Sequence, residues 1–187
     1  MASLIVQAVP EQFLIDQFLE EYALSHLHEP DWWVVCQKHE VQPGDQLFVW
    51  KGPSEPPRRD WRGYFSWKES IGRAGKDSGI FARGFVLDKP HPFQNSIWEQ
   101  EKYQKYRVKR DTNFTSNNRV VNCIYGDPKN IRVRNPLLED TLKIKLENKV
   151  SPKLHTFLFQ GIRRKRYSIA LNDIEAEIIN SLFNDPE

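Results

Sequence analysis

The sequence has few of the features that mark secreted scaffolds or membrane proteins. Its two cysteines, Cys36 and Cys123, have no paired spacing motif and are interpreted as small core residues in a reducing compartment. No apolar run approaches the length of a membrane-spanning helix. The first residues also lack the basic start of a secretion signal. We therefore expect a cytoplasmic protein with no membrane partner.

Basic residues are nearly absent from the first part of the chain. Residues 1–50 contain one, Lys38, against eight acidic residues, which gives a net charge of −7. Because the whole chain has a net charge of +2, the remainder carries +9. A polyanionic partner is therefore expected to meet the second part of the chain.

Signatures of catalysis and of cofactor binding are also lacking. His26 and His28 have no clear third ligand and are interpreted as loop surface rather than as a metal site. The glycine-containing stretch 72–79 lacks the Gly-Lys-Ser/Thr ending of a phosphate-binding loop. The sequence shows no arrangement of a nucleophile with a general base and no nuclease signature. We expect no enzymatic activity, no metal and no other cofactor.

Aromatic residues are abundant, with six Trp, eleven Phe and six Tyr. The stretch Trp32–Gly52 organises the chain: two β-forming runs, 32–36 and 46–50, flank the turn Pro43-Gly44-Asp45. The pattern predicts a hairpin-like strand–turn–strand unit. Trp32 and Trp33 are adjacent on the first run, so they are expected to point to opposite faces.

The remaining patterns predict an α+β domain with a curled mixed sheet. Strands are expected at 3–9, 78–87 and 119–125, and an amphipathic helix at 11–23. A basic run at 102–110 is expected to enter a strand, and Asn172 with Glu175 predicts a capped terminal helix. With no repeat or linker, residues 1–187 are predicted to form a single domain.

A long proline-containing segment, residues 53–77, interleaves basic with aromatic side chains. That combination is typical of single-stranded or flipped-base binding, but the aromatics can equally pin a loop to the domain. A second basic run, 163–166, is either a solvated turn or a phosphate contact. The candidate contacts to a nucleic-acid backbone are Lys38, Arg58, Arg59, Arg62, Lys105, Arg107, Lys109, Arg110, Arg163, Arg164 and Lys165.

Short motifs follow one another along almost the whole chain: Gln7-Ala8-Val9-Pro10, Trp33 through Gln37, Glu40 through Asp45, Leu47-Phe48-Val49-Trp50, Ser78 through Gly84, Asn135-Pro136-Leu137 and Gln160-Gly161. In this order and spacing they resemble the EVE family of PUA-like domains, which are related to the YTH and SRA domains. Two features depart from the family pattern: segment 53–77 is longer than the usual connection, and a basic run follows Gln160-Gly161.

The resemblance implies a small β-barrel flanked by helices, with an aromatic cage at its mouth that takes in a flipped, modified base from DNA or RNA. The modification implied is of the 5-methylcytosine or N6-methyladenine type, and a separate nuclease or effector protein is a further expected partner. The alternative is an RNA-binding PUA-like module without modification preference. The implied walls are Trp33 and either Trp50 or Trp67, and the implied edge readers are Gln7, Gln37, Ser78 and Gly79.

Overall fold

The structure is a computed structural model that describes residues 1–8, 13–52, 78–107, 114–146, 149–159 and 168–185, with backbone alone at 58–59, 65–66 and 156–159. The strands are β1 (Ser3–Ala8), β2 (Asp31–Val35), β3 (Gln46–Lys51), β4 (Arg58–Arg59), β5 (Phe65–Ser66), β6 (Gly79–Val86), β7 (His91–Pro92), β8 (Arg119–Ile124), β9 (Leu137–Leu138) and β10 (Ser168–Leu171). The helices are α1 (Ile15–Glu21), α2 (Asn95–Trp98), α3 (Glu101–Gln104), α4 (Glu139–Leu146), α5 (Pro152–Phe159) and α6 (Asp173–Asn184).

The main sheet runs in the order β10-β1-β3-β6-β8-β2, with β7 added on β8 and β9 on β6. Only β1 and β3 pair in parallel among these strands; the other pairs are antiparallel. A register shift between Val49 and Trp50 interrupts the β3–β6 ladder, and such irregularities bend a sheet. The result is a curled half-barrel flanked by helices, so the predicted α+β domain with a curled mixed sheet is confirmed.

The prediction that 32–52 forms a hairpin-like unit is wrong. β2 pairs with β8 at one end of the sheet, whereas β3 lies between β1 and β6. The turn chemistry itself is as predicted, because Gly44 has a φ of 89°. Asp45 accepts hydrogen bonds from the backbone N–H of Gln42 at 2.9 Å and of Ala2 at 3.0 Å. The turn therefore ties β3 to the chain start rather than to β2.

Two further local predictions are corrected. The first helix begins at Ile15 rather than at residue 11, because Phe13 forms a β-bridge with Arg107 just before it. The basic run does not enter a strand at its start: Lys102 lies in α3 and Lys105 in the turn after it, and Arg107 makes the isolated bridge with Phe13. The capping box between Asn172 and Glu175 is confirmed at the start of α6.

The sheet separates two apolar cores. One lies against α1, α2 and α3 and contains most of the buried aromatic rings, among them Phe18, Trp32 and Trp98. The other lies against α4, α5 and α6 and contains Phe48 and Trp50. We call the core against α1, α2 and α3 the first core and the other the second core.

Gly79 is expected to be required for the packing of β6 against β9. A Cβ built on Gly79 would lie 2.4 Å from the carbonyl oxygen of Leu137, whereas one on Gly84 would lie 3.1 Å from that of Ile124. Gly79→Ala is therefore expected to lower the free energy of unfolding by about 1–3 kcal/mol, and Gly84→Ala by less, in urea denaturation. Equal losses from the two substitutions would contradict the close approach at Gly79.

Candidate functional site

A small cavity lies inside the first core, between β1, α1, β2 and the α2–α3 region. Its volume is about 70 Å³, and it is bordered by Gln7, Ala8, Asp31 and Val34 together with eight aromatic residues. Those aromatic residues are Phe13, Phe18, Trp32, Trp33, Trp98, Tyr103, Phe114 and Tyr125.

The rings of the cavity wall are held in defined mutual orientations. The Trp32 and Trp98 rings meet edge to face, with centroids 5.1 Å apart at 79°. Phe114 approaches Trp32 at 5.9 Å and 86°, and Tyr103 stacks with Trp98 at 6.1 Å and 26°. These are the offset and edge-to-face arrangements that aromatic quadrupoles favour. The wall is therefore an ordered cluster of ring faces and edges.

Several polar atoms in this wall are buried without a hydrogen bond. Within the described part of the chain, the indole nitrogens of Trp32, Trp33 and Trp98 and the hydroxyl of Tyr125 have no partner that meets hydrogen-bond geometry. The Tyr125 hydroxyl nevertheless lies near enough to Asp31 to contribute to lowering the pKa of that carboxyl. A buried polar group without a partner costs about 1–3 kcal/mol. The Trp33 indole likewise lies near the Tyr125 hydroxyl and the Cys123 thiol. Polar groups without good hydrogen-bond geometry around one cavity mark it as a candidate site.

Asp31 introduces a charge into this apolar surrounding. It is 5% exposed, and its Oδ1 accepts a hydrogen bond from the Tyr103 hydroxyl at 3.0 Å. The Lys102 ammonium lies 3.5 Å from the same oxygen. Burial raises the pKa of Asp31 to about 6, an effect that Lys102 and the hydroxyls of Tyr103 and Tyr125 reduce but do not cancel. Burial also raises the pKa of Tyr103, with the Asp31 charge adding to the effect.

Lys102 is positioned by several groups at once. It donates a hydrogen bond to the carbonyl of Pro30 at 2.8 Å. Its ammonium lies 5.0 Å from the centre of the Tyr103 ring and 5.7 Å from that of Tyr22. Cation–π contacts of this kind stabilise a partly desolvated ammonium. Lys102 does not itself border the cavity, but it fixes the position of Asp31, which does.

Two cations lie beside the aromatic cluster. The Arg107 guanidinium lies 5.4 Å from the centre of the Trp98 ring. Lys105 is exposed and forms an ion pair with Glu21. Both were predicted as backbone contacts, and the structure places both next to the α2–α3 region that borders the cavity.

Acidic residues of the first part of the chain pair with basic residues of the second. The charge separation expected from the sequence is therefore partly cancelled in the fold, and the cations so paired are less available to a polyanion. The pairs are Glu20 with Arg134, Glu21 with Lys105, and Asp31 with Lys102.

The structure brings two of the predicted pocket residues to this cavity, Trp33 and Gln7. Trp50 does not reach it: it is 3% exposed in the second core, on the other face of the sheet. Trp33 and Trp50 therefore do not face each other, because β2 and β3 are not neighbours. Of the two residues predicted as the second wall, Trp50 thus lies away from Trp33, and Trp67 lies outside the described residues.

The remaining predicted edge readers lie elsewhere. Gln37 is exposed and donates to the carbonyl of Asn117 at 2.7 Å. Ser78 is buried, with its carbonyl accepting from the backbone N–H of Glu139 at 2.8 Å, and Gly79 pairs with Leu138. None of these three residues borders the cavity, so they do not share a pocket with Trp33.

Many of the residues predicted to contact nucleic acid lie in parts of the chain for which the structure describes no side chain. Lys38 is exposed on the loop after β2. Arg58 and Arg59 are described by their backbone alone, in β4, which pairs with β5. The residues that lie outside the described ones are Arg62, Trp67, Lys109, Arg110, Arg163, Arg164 and Lys165.

Sequence reasoning missed Asp31, Trp32, Trp98 and Lys102 as members of the site. Alternation along a strand assigned Trp32 to the face opposite Trp33, yet both border the cavity at the end of the curled sheet. Trp98 is buried in the first core and also lines the cavity. The spacing of Trp98, Lys102 and Tyr103 on two short helices was the available signal.

Among the described residues, no group of three or more His, Cys, Asp or Glu side chains is placed to hold a metal ion. None of the helices described is long and apolar enough to cross a bilayer.

No family model and no curated protein matches the sequence. Solved structures match it by fold. Protein PSPTO5229 from Pseudomonas syringae is 15% identical, with 97% of this chain and 99% of that one covered and a TM-score of 0.51. A hypothetical protein from Leishmania major is 12% identical, with 98% and 94% covered and a TM-score of 0.51. These two likenesses show the shared fold alone.

A third solved structure is the human THYN1 protein in complex with DNA that contains 5-methylcytosine. It is 11% identical to this chain, both chains are fully covered at 100%, and the TM-score is 0.49. A likeness of this degree supports no inference about the ligand of this chain.

Asp31→Asn is expected to change how stability depends on pH. Burial raises the pKa of Asp31 from 3.8 to about 6, so the folded state favours the protonated carboxyl. The wild type therefore loses stability relative to the variant as the pH rises from about 4 to about 7, by roughly 3 kcal/mol. Urea denaturation of both proteins across this range measures the difference. A difference that stays constant with pH would contradict a buried, ionising Asp31.

Proposed function

We propose that this chain is an EVE-type, PUA-like module that binds nucleic acid by taking one modified base into the aromatic cavity. The observation that carries the proposal is the enclosed cluster of aromatic rings with unpaired polar groups in its wall. A base removed from its stack needs flat apolar surfaces for its faces and polar groups for its edge. The residues around the cavity provide both.

The cavity is too small for a drug-sized ligand. Pockets for drug-sized molecules are usually about 300–1,000 Å³, whereas this cavity is about 70 Å³. A cavity of about 150 Å³ holds benzene, so a single base enters only as the surrounding rings move apart, with its sugar and phosphate remaining outside. The module then acts by binding, and a separate nuclease or effector protein would act on the nucleic acid that it marks.

The cations beside the cluster supply affinity for the backbone. Arg107 lies against the Trp98 ring. Lys105, two residues before it, is exposed but paired with Glu21, so it contributes less to this affinity. Contacts between such side chains and phosphates position the strand but do not read its sequence. They also make the affinity fall as the salt concentration rises.

Trp33→Ala is expected to weaken binding to an oligonucleotide that carries the modified base. Loss of one stacking surface costs about 1–3 kcal/mol, which is roughly a 5- to 150-fold rise in Kd. The Kd is measured by fluorescence anisotropy. The oligonucleotides carry 5-methylcytosine, 5-hydroxymethylcytosine or N6-methyladenine, each in single- and double-stranded DNA and RNA. Trp50→Phe is the matched control, because it changes a Trp in the other core.

Two results would contradict the proposal. Equal wild-type affinity for modified and unmodified strands would favour a general RNA- or DNA-binding module. Equal losses from Trp33→Ala and Trp50→Phe would show that the cavity does not hold the base. Thermal unfolding of each variant confirms that differences in binding do not arise from unfolded protein.

A further inference from the structure

We infer that Asp31 determines which bases the cavity accepts: its carboxylate takes a hydrogen bond from an exocyclic amino group, so that amino-bearing bases are bound in preference to bases with a keto group at the same position. This inference rests on the function proposed above. The aromatic walls cannot distinguish one base from another, because every base has a ring face that stacks. The carboxylate of Asp31 would supply that distinction.

Asp31 has the right location for this role. It opens β2 immediately before Trp32 and Trp33, and all three border the cavity. It is also the one acidic residue among those that line the cavity in the described part of the chain. A base that stacks against the tryptophans therefore presents its edge close to this carboxylate.

Asp31 also keeps acceptor capacity for a ligand. A carboxylate has about four lone-pair positions. The hydroxyl of Tyr103 and the ammonium of Lys102 both approach Oδ1. No hydrogen bond to Oδ2 occurs among the described residues, while the Tyr125 hydroxyl lies nearby without hydrogen-bond geometry. The two groups on Oδ1 orient the carboxylate, and an incoming N–H would share its second oxygen with the Tyr125 hydroxyl.

The chemistry of the carboxylate separates amino from keto bases. An ionised Asp is an acceptor only, and acceptance from the amino group of cytosine is a known pairing for Asp and Glu. A keto oxygen at the same position places two acceptors against each other with no proton between them. Lys102 favours the ionised form of Asp31 and so maintains this selectivity.

The test compares 5-methylcytosine with thymine in otherwise identical single strands. The two bases share the methyl group and differ at the 4-position, where one carries an amino group and the other a keto group. Wild-type protein is expected to bind the 5-methylcytosine strand roughly 5- to 150-fold more tightly. Asp31→Asn is expected to reduce that ratio to within about threefold, since an amide both donates and accepts.

Asp88→Asn is the matched control. It makes the same chemical change on a carboxylate that bonds Asn122 and does not border the cavity, so it is expected to keep the wild-type ratio. The readout is a ratio of two affinities, which a partial loss of folded protein leaves unchanged. The wild-type ratio is informative even where Asp31→Asn does not fold.

The outcomes separate this inference from the proposed function. Trp33-dependent binding of both strands with equal affinity would overturn the role of Asp31 while supporting the cavity as the base site. A wild-type preference that survives in Asp31→Asn would do the same. Binding that does not depend on Trp33, or no binding to either strand, would overturn the proposed function and the inference with it.

Discussion

The structure depends on β3 lying in the middle of the sheet with both faces covered. All six of its residues are buried, and β1 and β6 flank it. A strand in that position divides the aromatic side chains between two cores. Trp50 joins the core beneath α4, α5 and α6, while the core against α1, α2 and α3 receives the larger share of rings. The cavity lies in this first, ring-rich core.

The ring-rich core is not optimised for stability alone. Apolar packing would favour a filled interior with every polar atom paired, yet this core contains a cavity, a buried carboxylate and polar atoms that lack partners among the described residues. The Asp31–Lys102 pair offsets part of the desolvation cost, but a buried ion pair rarely adds net stability. Local departures of this kind are expected where a site must receive a ligand.

Electrostatics connects parts of the chain that are distant in sequence. Acidic side chains on α1 and at the start of β2 pair with basic side chains on α3, on the turn after α3 and on the segment after β8. The exposed pairs contribute little to stability in water. The pair that is buried, Asp31 with Lys102, fixes α3 against β2 and so fixes the wall that Trp98 and Tyr103 provide. Part of the positive charge of residues 51–187 is therefore neutralised by ion pairs within the fold.

The amino-acid sequence by itself determined the features that depend on neighbouring residues. These include the strands around residues 3–8, 46–51, 79–86 and 119–124, the turn at Gly44, and the cap of α6 at Asn172. Only the tertiary structure decided that β2 and β3 are not paired, that residues 101–104 are helical, and that Trp50 lies away from Trp33. It also brought together Asp31 and Lys102, which are far apart in the chain. Strand partners and buried faces are chosen by contacts between distant segments, which a local pattern does not encode.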